Sequence, residues 1–125
     1  MNWFKRKLNP SKPPEVFTPP RIVFVGEQSG AVEDDLKTRF GEILTSTPAV
    51  QSAYLARLSY GEASDYSVGL CIRSSVGIDQ GLQKRLAQVF AEIFREEEHL
   101  DILFMREDQE AELKKVCRPF YERGQ

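Results

Sequence analysis

The sequence predicts one α+β domain, in which a four-stranded sheet carries helices mainly on one face. Two observations support this class. Short segments rich in β-branched and aromatic residues alternate with longer segments whose apolar residues recur every three or four positions, in the order β-α-β-β-α-β-α. The length of 125 residues also suits a single core. Because five of the seven prolines lie within residues 1–20, we predict a Pro-rich basic tail there and the domain over 21–125.

The first half of the domain is predicted to contain a strand, a helix and a hairpin. The run RIVFVGE is rich in β-branched and aromatic residues, which Gly26 brings to an end, and this pattern favours a buried strand. The runs SAYLARLSY and YSVGLCIRS alternate in polarity around GEASD and therefore predict a β-hairpin. Between RIVFVGE and SAYLARLSY, a helix is predicted with one apolar stripe of Val32, Leu36, Phe40, Ile43 and Leu44. Its first turn contains the acidic residues Glu33, Asp34 and Asp35.

The second half is predicted as a helix, a strand and a final helix. Asp79 is a plausible N-cap for a helix whose apolar stripe is formed by Leu82, Leu86, Val89, Phe90, Ile93 and Phe94. The run LDILFM predicts a strand, and EDQEAELKKVCRPFYE predicts a last helix with Leu113, Val116 and Cys117 on one face. The first six elements match the split βαβ pattern of ferredoxin-like folds, which is our first expectation for the topology.

Charge, apolar content and cysteine content restrict the class of partner and the cellular compartment. Residues 1–21 carry five cations and one acid, a net of +4; because the whole chain is −2, the rest carries −6. An acidic domain argues against nucleic acid as the partner. No apolar run approaches the roughly 20 residues of a membrane span, and the N-terminus lacks the apolar region of a secretory signal. Two widely separated cysteines favour a reducing compartment, so we expect a cytoplasmic protein.

The sequence contains no recognisable catalytic, cofactor-binding or metal-binding constellation. His99 is the single histidine and follows three glutamates, a pattern more typical of a solvated helix end than of a metal site. Cys71 and Cys117 lack a nucleophile motif and are interpreted as packed thiols. The GEQSG run around Ser29 and Gly30 lacks the lysine of a phosphate-binding loop and precedes three acids. We therefore predict no catalytic residue, no cofactor and no metal.

The first functional hypothesis is a non-enzymatic interaction or assembly module. A protein or peptide, or a second copy in a homo-oligomer, would bind the sheet face opposite the helices or the hairpin loop. The candidate interaction residues are Tyr60, Glu62, Asp65, Tyr66, Phe120 and Tyr121. The alternative is a small ligand-binding domain or enzyme, in which Ser29, Glu62, Asp65 and Cys71 would converge in one pocket.

Two further segments admit a second interpretation. Pro119 should end the last helix, after which Phe120 and Tyr121 either pack as a latch or form an exposed aromatic patch for a partner. At the other end, a membrane-surface contact is a third functional hypothesis, because basic and aromatic side chains are interleaved there. Its candidate residues are Trp3, Phe4, Lys5, Arg6 and Lys7.

Several short motifs together resemble the C-terminal domain of the enhanced serine sensitivity (SseB-type) bacterial proteins. That family has a V-x-x-A-Y-L-A strand leading a hairpin, then a helix, a D-I-x-F strand and a closing P-F-Y. The matching residues are Val50, Ala53, Tyr54, Leu55, Ala56, Asp101, Ile102, Phe104, Pro119, Phe120 and Tyr121, and the resemblance spans about residues 21–122. It implies a cytoplasmic bacterial protein without an assigned catalytic centre. Some members have a second, N-terminal domain, whereas this chain has a Pro-rich tail in that place.

Overall fold

The computed structural model describes residues 22–60, 67–94 and 99–123. The elements are β1 (Ile22–Glu27), α1 (Ala31–Thr45), β2 (Val50–Tyr60), β3 (Ser67–Ser74), α2 (Gln80–Ile93), β4 (Asp101–Phe104), α3 (Glu107–Leu113) and β5 (Tyr121–Glu122). The predicted α+β class and element order are confirmed, and the two-residue β5 is an addition. The membrane-contact candidates of the N-terminal tail lie outside the described residues.

The sheet follows the order β1-β2-β3-β4, and β5 pairs with β2. β1 and β3 both run antiparallel to β2, and β4 runs parallel to β3. This order corrects the expected ferredoxin-like arrangement. In a split βαβ unit the two strands joined by a helix are parallel with another strand between them, whereas β1 and β2 here are antiparallel neighbours.

The course of α1 explains this strand order. β1 ends at Glu27, opposite Ala56, while Arg123 contacts both Leu44 at the end of α1 and Val50 at the start of β2. A 15-residue helix is about 22 Å long, close to the ~20 Å between Ala56 and Val50 along a strand. α1 therefore carries the chain past the end of β1, and the turn after it reverses the direction into β2.

One face of the sheet packs against α1 and α2. This first core contains side chains from both helices and from β2 and β3: Leu36, Phe40, Leu44, Val50, Ala53, Leu55, Val68, Leu70, Ile72, Leu82, Leu86 and Phe90. The predicted stripe of α2 is confirmed, as is its N-cap, because Asp79 Oδ1 accepts a hydrogen bond from the Leu82 amide at 3.0 Å. In α1 the stripe is confirmed except at Val32, which is exposed.

The opposite face packs against α3 and the segment that follows it. This second core contains Tyr54, Ala56, Leu58, Cys71, Met105, Leu113 and Cys117. The packing is close at Gly69, where an added Cβ would lie 2.4 Å from Leu58 Cδ1. Over these residues the face opposite α1 and α2 is covered, so it is not the open docking surface that the first hypothesis offered. α3 is also shorter than predicted, since it ends at Leu113 and leaves Val116 exposed.

β1 forms an outer edge of the sheet, so the prediction of a buried strand is wrong. Val23 is 44% exposed and Val25 is 46% exposed, while Ile22 and Phe24 are half-buried against the second core. Val23 pairs with Ser59, on the face of the sheet that carries α1, and Val25 lies where the register shifts, at a β-bulge or irregularity between Phe24 and Gly26. Because α1 lies past β1 rather than over it, these valines have no helical cover.

Candidate interaction surface

A carboxylate at the middle of α3 ties this helix to the sheet. Glu110 Oε2 accepts hydrogen bonds from Ser52 Oγ at 2.6 Å and from the Tyr54 hydroxyl at 2.7 Å. Its Oε1 accepts a third from Arg73 Nε at 3.1 Å. Tyr54 is fully buried, so Glu110 satisfies a hydroxyl that has no access to water. The cluster is a structural network across the second core.

The ionisation of the pair follows from this geometry. Burial by itself would raise the pKa of Glu110, but the hydrogen bonds from Ser52 and Tyr54 and the charges of Lys114 and Arg73 outweigh it and lower the pKa. The pKa of Tyr54 is raised, first by burial and then by its bond to the Glu110 carboxylate. Glu110 is therefore held ionised and Tyr54 protonated, which suits a fixed hydrogen bond rather than proton transfer.

A second carboxylate links the start of β4 to β3. Asp101 Oδ2 accepts a hydrogen bond from Ser67 Oγ at 2.7 Å, and Asp101 Oδ1 lies 2.5 Å from His99 Nε2. The carboxylate stands between the hydroxyl and the imidazole, whereas a nucleophilic serine needs the imidazole beside it. Ser67 is also fully buried. His99 thus lies directly before β4 and contacts Asp101, not at a solvated helix end as predicted.

The turn before α1 is filled by a buried acid. Glu33 is 1% exposed and accepts a hydrogen bond from Gln28 Nε2 at 2.6 Å. Gly30 is the N-cap, with φ of 148°, and a Cβ added to it would lie 2.4 Å from Glu33 Oε1. The Glu33 carboxyl group therefore fills the space beside Gly30, which agrees with the interpretation of GEQSG as a structural turn.

The cysteines are placed as core residues. Cys71 is fully buried in the second core, and burial raises its pKa, followed by smaller contributions from Cys117 and Asp101. Burial also raises the pKa of Cys117 to about 11. Both thiols are held in the form that does not attack electrophiles. Ser29 is exposed in the β1–α1 turn, whereas Cys71 is buried in the second core; the ligand-binding alternative would require them to converge in one pocket.

The segment after α3 passes the end of β1 and is fastened to β2. The Phe120 amide donates to the Ala53 carbonyl at 2.9 Å, and the Arg123 amide donates to the Gln51 carbonyl at 2.9 Å. Phe120 and Tyr121 are partly buried against the first core. These two candidate interaction residues therefore pack as the latch that the sequence offered as one interpretation.

Arg123 extends this latch into a clamp on α1. Its Nε donates to the Val50 carbonyl at 2.7 Å. Its Nη2 lies within hydrogen-bonding distance of three carbonyls at the end of the helix, Leu44 at 2.9 Å, Thr47 at 3.0 Å and Thr45 at 3.2 Å. A cation suits the negative end of a helix, and here it adds to the backbone amides that already donate to the Leu44 and Thr47 carbonyls. Sequence reasoning missed Arg123, although its position two residues after the closing P-F-Y was a usable signal.

The outer side of β1, which we call the β1 edge, differs from the other strand edges. No strand in the described parts of the chain pairs with it, and β1 contains neither lysine nor proline, two residues that natural edges use to prevent pairing, although its register shifts at Val25. Its single charge, Glu27, pairs with Lys37 at 3.6 Å and with Arg118 at 3.3 Å. Among the described residues, the β1 edge thus combines an outer side that no strand pairs with and two exposed valines.

The hairpin candidates fall largely beyond the described structure. Tyr60 is the last residue of β2 and is paired with Ile22, so the hairpin loop starts beside the beginning of β1. Glu62, Asp65 and Tyr66 lie outside the described residues. Within 22–60, 67–94 and 99–123, no group of three or more His, Cys, Asp or Glu side chains could hold a metal ion. No helix in those ranges has the length and apolar character needed to cross a membrane.

Comparison with known proteins agrees with the motifs on β2, β4 and the closing latch. The family model described as SseB protein C-terminal domain matches residues 31–123. No curated protein and no solved structure matches the chain significantly. The match covers α1 to β5, including the clamp residue Arg123 and the packed Phe120 and Tyr121. The chain therefore belongs to the SseB C-terminal domain family.

Proposed function

We propose that this domain is a non-enzymatic protein-interaction module of the bacterial cytoplasm, and that the β1 edge is its binding surface. The observation that carries the proposal is the pair of exposed valines on an outer strand whose far side has no partner among the described residues. An extended segment of another protein would add to the sheet there. Backbone hydrogen bonds would supply affinity, and side-chain contacts with Val23 and Val25 would supply selectivity.

The other strand edges support this choice by contrast. β4 has four residues, and its first residue, Asp101, is already engaged with Ser67 and His99. β5 has only two residues and ends beside the Arg123 clamp. Short edge strands are poor templates for pairing. β1 has six residues and offers the longest outer edge of the described sheet.

The polar clusters support a role without catalysis. Glu110 connects α3 to β2 and β3, Asp101 connects β4 to β3, and Glu33 closes the turn before α1. Each carboxylate accepts hydrogen bonds from neighbouring side chains that hold secondary-structure elements together. Acid–base catalysis would instead need such groups directed at a common substrate position.

The proposal is tested with a photo-crosslinking amino acid at Val25 of the full-length chain in bacterial cells. Val76 is the matched control, because it is an exposed valine, 64% accessible, in the turn after β3. We expect a discrete crosslinked protein species from position 25 and none from position 76. Equal labelling from both positions, or no protein product from position 25, would contradict the proposed surface.

A further inference from the structure

We propose that the end of α1 and the first residues of β2 form a peptide-binding groove, which the chain occupies with its own C-terminal strap, residues 118–123. The strap is then an intramolecular ligand that leaves the groove without unfolding of the domain. The ligand class is an extended peptide with two adjacent aromatic residues and an arginine two positions after the second. This groove is independent of the β1 edge, because β1 pairs with the last part of β2 and the strap with the first part.

The strap binds to β2 as an added strand. The Phe120 amide donates to the Ala53 carbonyl at 2.9 Å, and the Arg123 amide donates to the Gln51 carbonyl at 2.9 Å. The pairing of β1 with β2 begins only at Ala56, so among the described residues the strap is the partner of the first part of β2 on this side. Addition of a strand to a sheet edge is a common way in which domains bind extended peptides.

The side chains of the strap make contacts that depend on their chemistry. Phe120 and Tyr121 lie partly buried against the first core, whereas Glu122 is exposed. The Arg123 guanidinium donates to the Val50 carbonyl and to the three carbonyls at the end of α1. The groove therefore combines an apolar surface for aromatic rings with a set of acceptors for a planar cation.

The strap is attached to the domain without belonging to either buried core. Cys117, the last residue of the second core, is buried, whereas residues 118–123 are each half-buried or exposed. An exposed turn, residues 114–116, separates Cys117 from α3. Arg118 pairs with Glu27 at the surface and should hold the strap only weakly. Terminal segments with few buried contacts open at lower free energy than a core, so the strap can leave while both cores stay packed.

Occupation by the strap keeps the groove closed to other ligands. An external peptide binds only the molecules whose strap has left, so its apparent affinity is reduced by the fraction of such molecules. The Arg123 side chain supplies four of the strap's contacts with carbonyl groups, and its removal should raise that fraction. A partner with the same aromatic and cationic groups would gain the groove by displacing the strap.

The first test is native-state hydrogen exchange of the full-length wild-type chain in low concentrations of urea. We expect the Phe120 and Arg123 amides to be protected at least about tenfold less than the amides of the β2–β3 ladder. Their exchange should depend only weakly on urea, because release of the strap exposes little surface. Equal protection and an equal urea dependence would show that the strap leaves only on global unfolding, and would overturn the inference.

The second test measures binding of a fluorescent peptide with the strap sequence, RPFYER, to the full-length chain. Arg123→Ala should bind the peptide at least about tenfold more tightly than the wild type, because its own strap competes less. Arg118→Ala removes an exposed arginine from the same strap and should bind the peptide like the wild type. The same peptide carrying the Arg123→Ala substitution should bind more weakly. Circular dichroism establishes that each variant is folded.

A covalent lock tests the groove without a destabilised strap. Ser52 and Glu122 are paired between β2 and β5, so a disulfide between Ser52→Cys and Glu122→Cys would hold the strap in place. The oxidised variant should bind no peptide even at concentrations at which the wild type does, and reduction should restore binding. Equal binding by the locked and wild-type chains, or no binding to either the wild type or a folded Arg123→Ala variant, would overturn the inference.

Discussion

β1 and the C-terminal segment lie along the same edge of β2, yet they are held very differently. Residues 120–123 pair with the first part of β2, pack two aromatic rings on the core and clamp the end of α1 through Arg123. β1 pairs with the last part of β2 and leaves Val23 and Val25 in solvent. One edge of β2 therefore pairs with a segment that stabilises the fold and with a strand that we propose binds a partner. Substitutions in the first region should change stability, and those in the second should change association.

Arg123→Ala should have the largest effect on the fastened region. Removal of the guanidinium leaves the Leu44, Thr45, Thr47 and Val50 carbonyls without their common donor. The Leu44 and Thr47 carbonyls keep a backbone donor, but hydrogen bonds from a charged group are strong, so we expect the free energy of unfolding to fall by about 3 kcal/mol. Urea denaturation measures this loss.

Arg118→Ala is the matched control for Arg123→Ala. The Arg118 side chain is 87% exposed and forms a surface ion pair with Glu27, so its removal should cost less than about 1 kcal/mol. Equal losses from the two arginine variants would show that Arg123 is not a clamp.

Glu110→Ala should cost about 2 to 3 kcal/mol, because it leaves the buried Tyr54 hydroxyl and Arg73 without their shared acceptor. The effect should depend on pH. The pKa of Glu110 is lowered in the folded state, so its stabilisation is complete above the unfolded-state pKa of about 4.3 and is lost as the pH falls through the lower folded-state value. Urea denaturation between about pH 3 and pH 7 measures this dependence.

Glu110→Gln separates charge from hydrogen bonding in the same cluster. The amide keeps an acceptor oxygen but does not titrate, so the part of the acid-induced stability loss that Glu110 contributes should disappear in this variant. An identical pH dependence in wild type and Glu110→Gln would contradict the assignment to this carboxylate.

Phe120→Ala should destabilise the latch by about 2 kcal/mol, less than for a fully buried ring because Phe120 is only partly buried against the first core. Tyr121→Phe is the conservative comparison, since it keeps the ring that lies 5.8 Å from the Arg123 guanidinium. Thermal denaturation of both variants should show a clear loss for the first and a small one for the second. A neutral Phe120→Ala would support a partner-contact role in place of packing.

The smallest effect on stability is expected at the β1 edge. Val25→Thr keeps the shape of an exposed side chain and should change the free energy of unfolding of the monomer by less than about 0.5 kcal/mol. Val68→Thr places the same hydroxyl in the fully buried first core and should cost about 1 to 3 kcal/mol. Comparable losses at the two valines, measured at low protein concentration, would mean that the β1 edge is not a free surface of the monomer.

The local part of the fold was predictable from the sequence because local physical chemistry determines it. The apolar stripe of Leu36, Phe40 and Leu44, the N-cap Asp79 and the alternation of the hairpin strands each reflect neighbours within a few positions. Strand order was not predictable in this way. It depends on α1 continuing past the end of β1, which no local pattern specifies.

The candidate surface and the clamp were missed for related reasons. The run IVFVG reads the same whether a helix covers the strand or leaves it at an edge, so exposure of Val23 and Val25 required knowledge of the whole sheet. Arg123 acts on carbonyls of Leu44 and Val50, which are distant in the sequence. The family resemblance did indicate the closing P-F-Y, and its role in packing is visible only with β5 in place.

The Arg123 contacts join residues separated by 73 to 79 positions along the chain. Contacts of such separation carry a large loop-closure cost, so we expect them to form after the rate-limiting barrier of folding has been crossed. Loss of the guanidinium should then accelerate unfolding and leave the refolding rate nearly constant in stopped-flow measurements. The contacts of Arg123 would thus prolong the lifetime of the folded molecule without changing the speed of its formation.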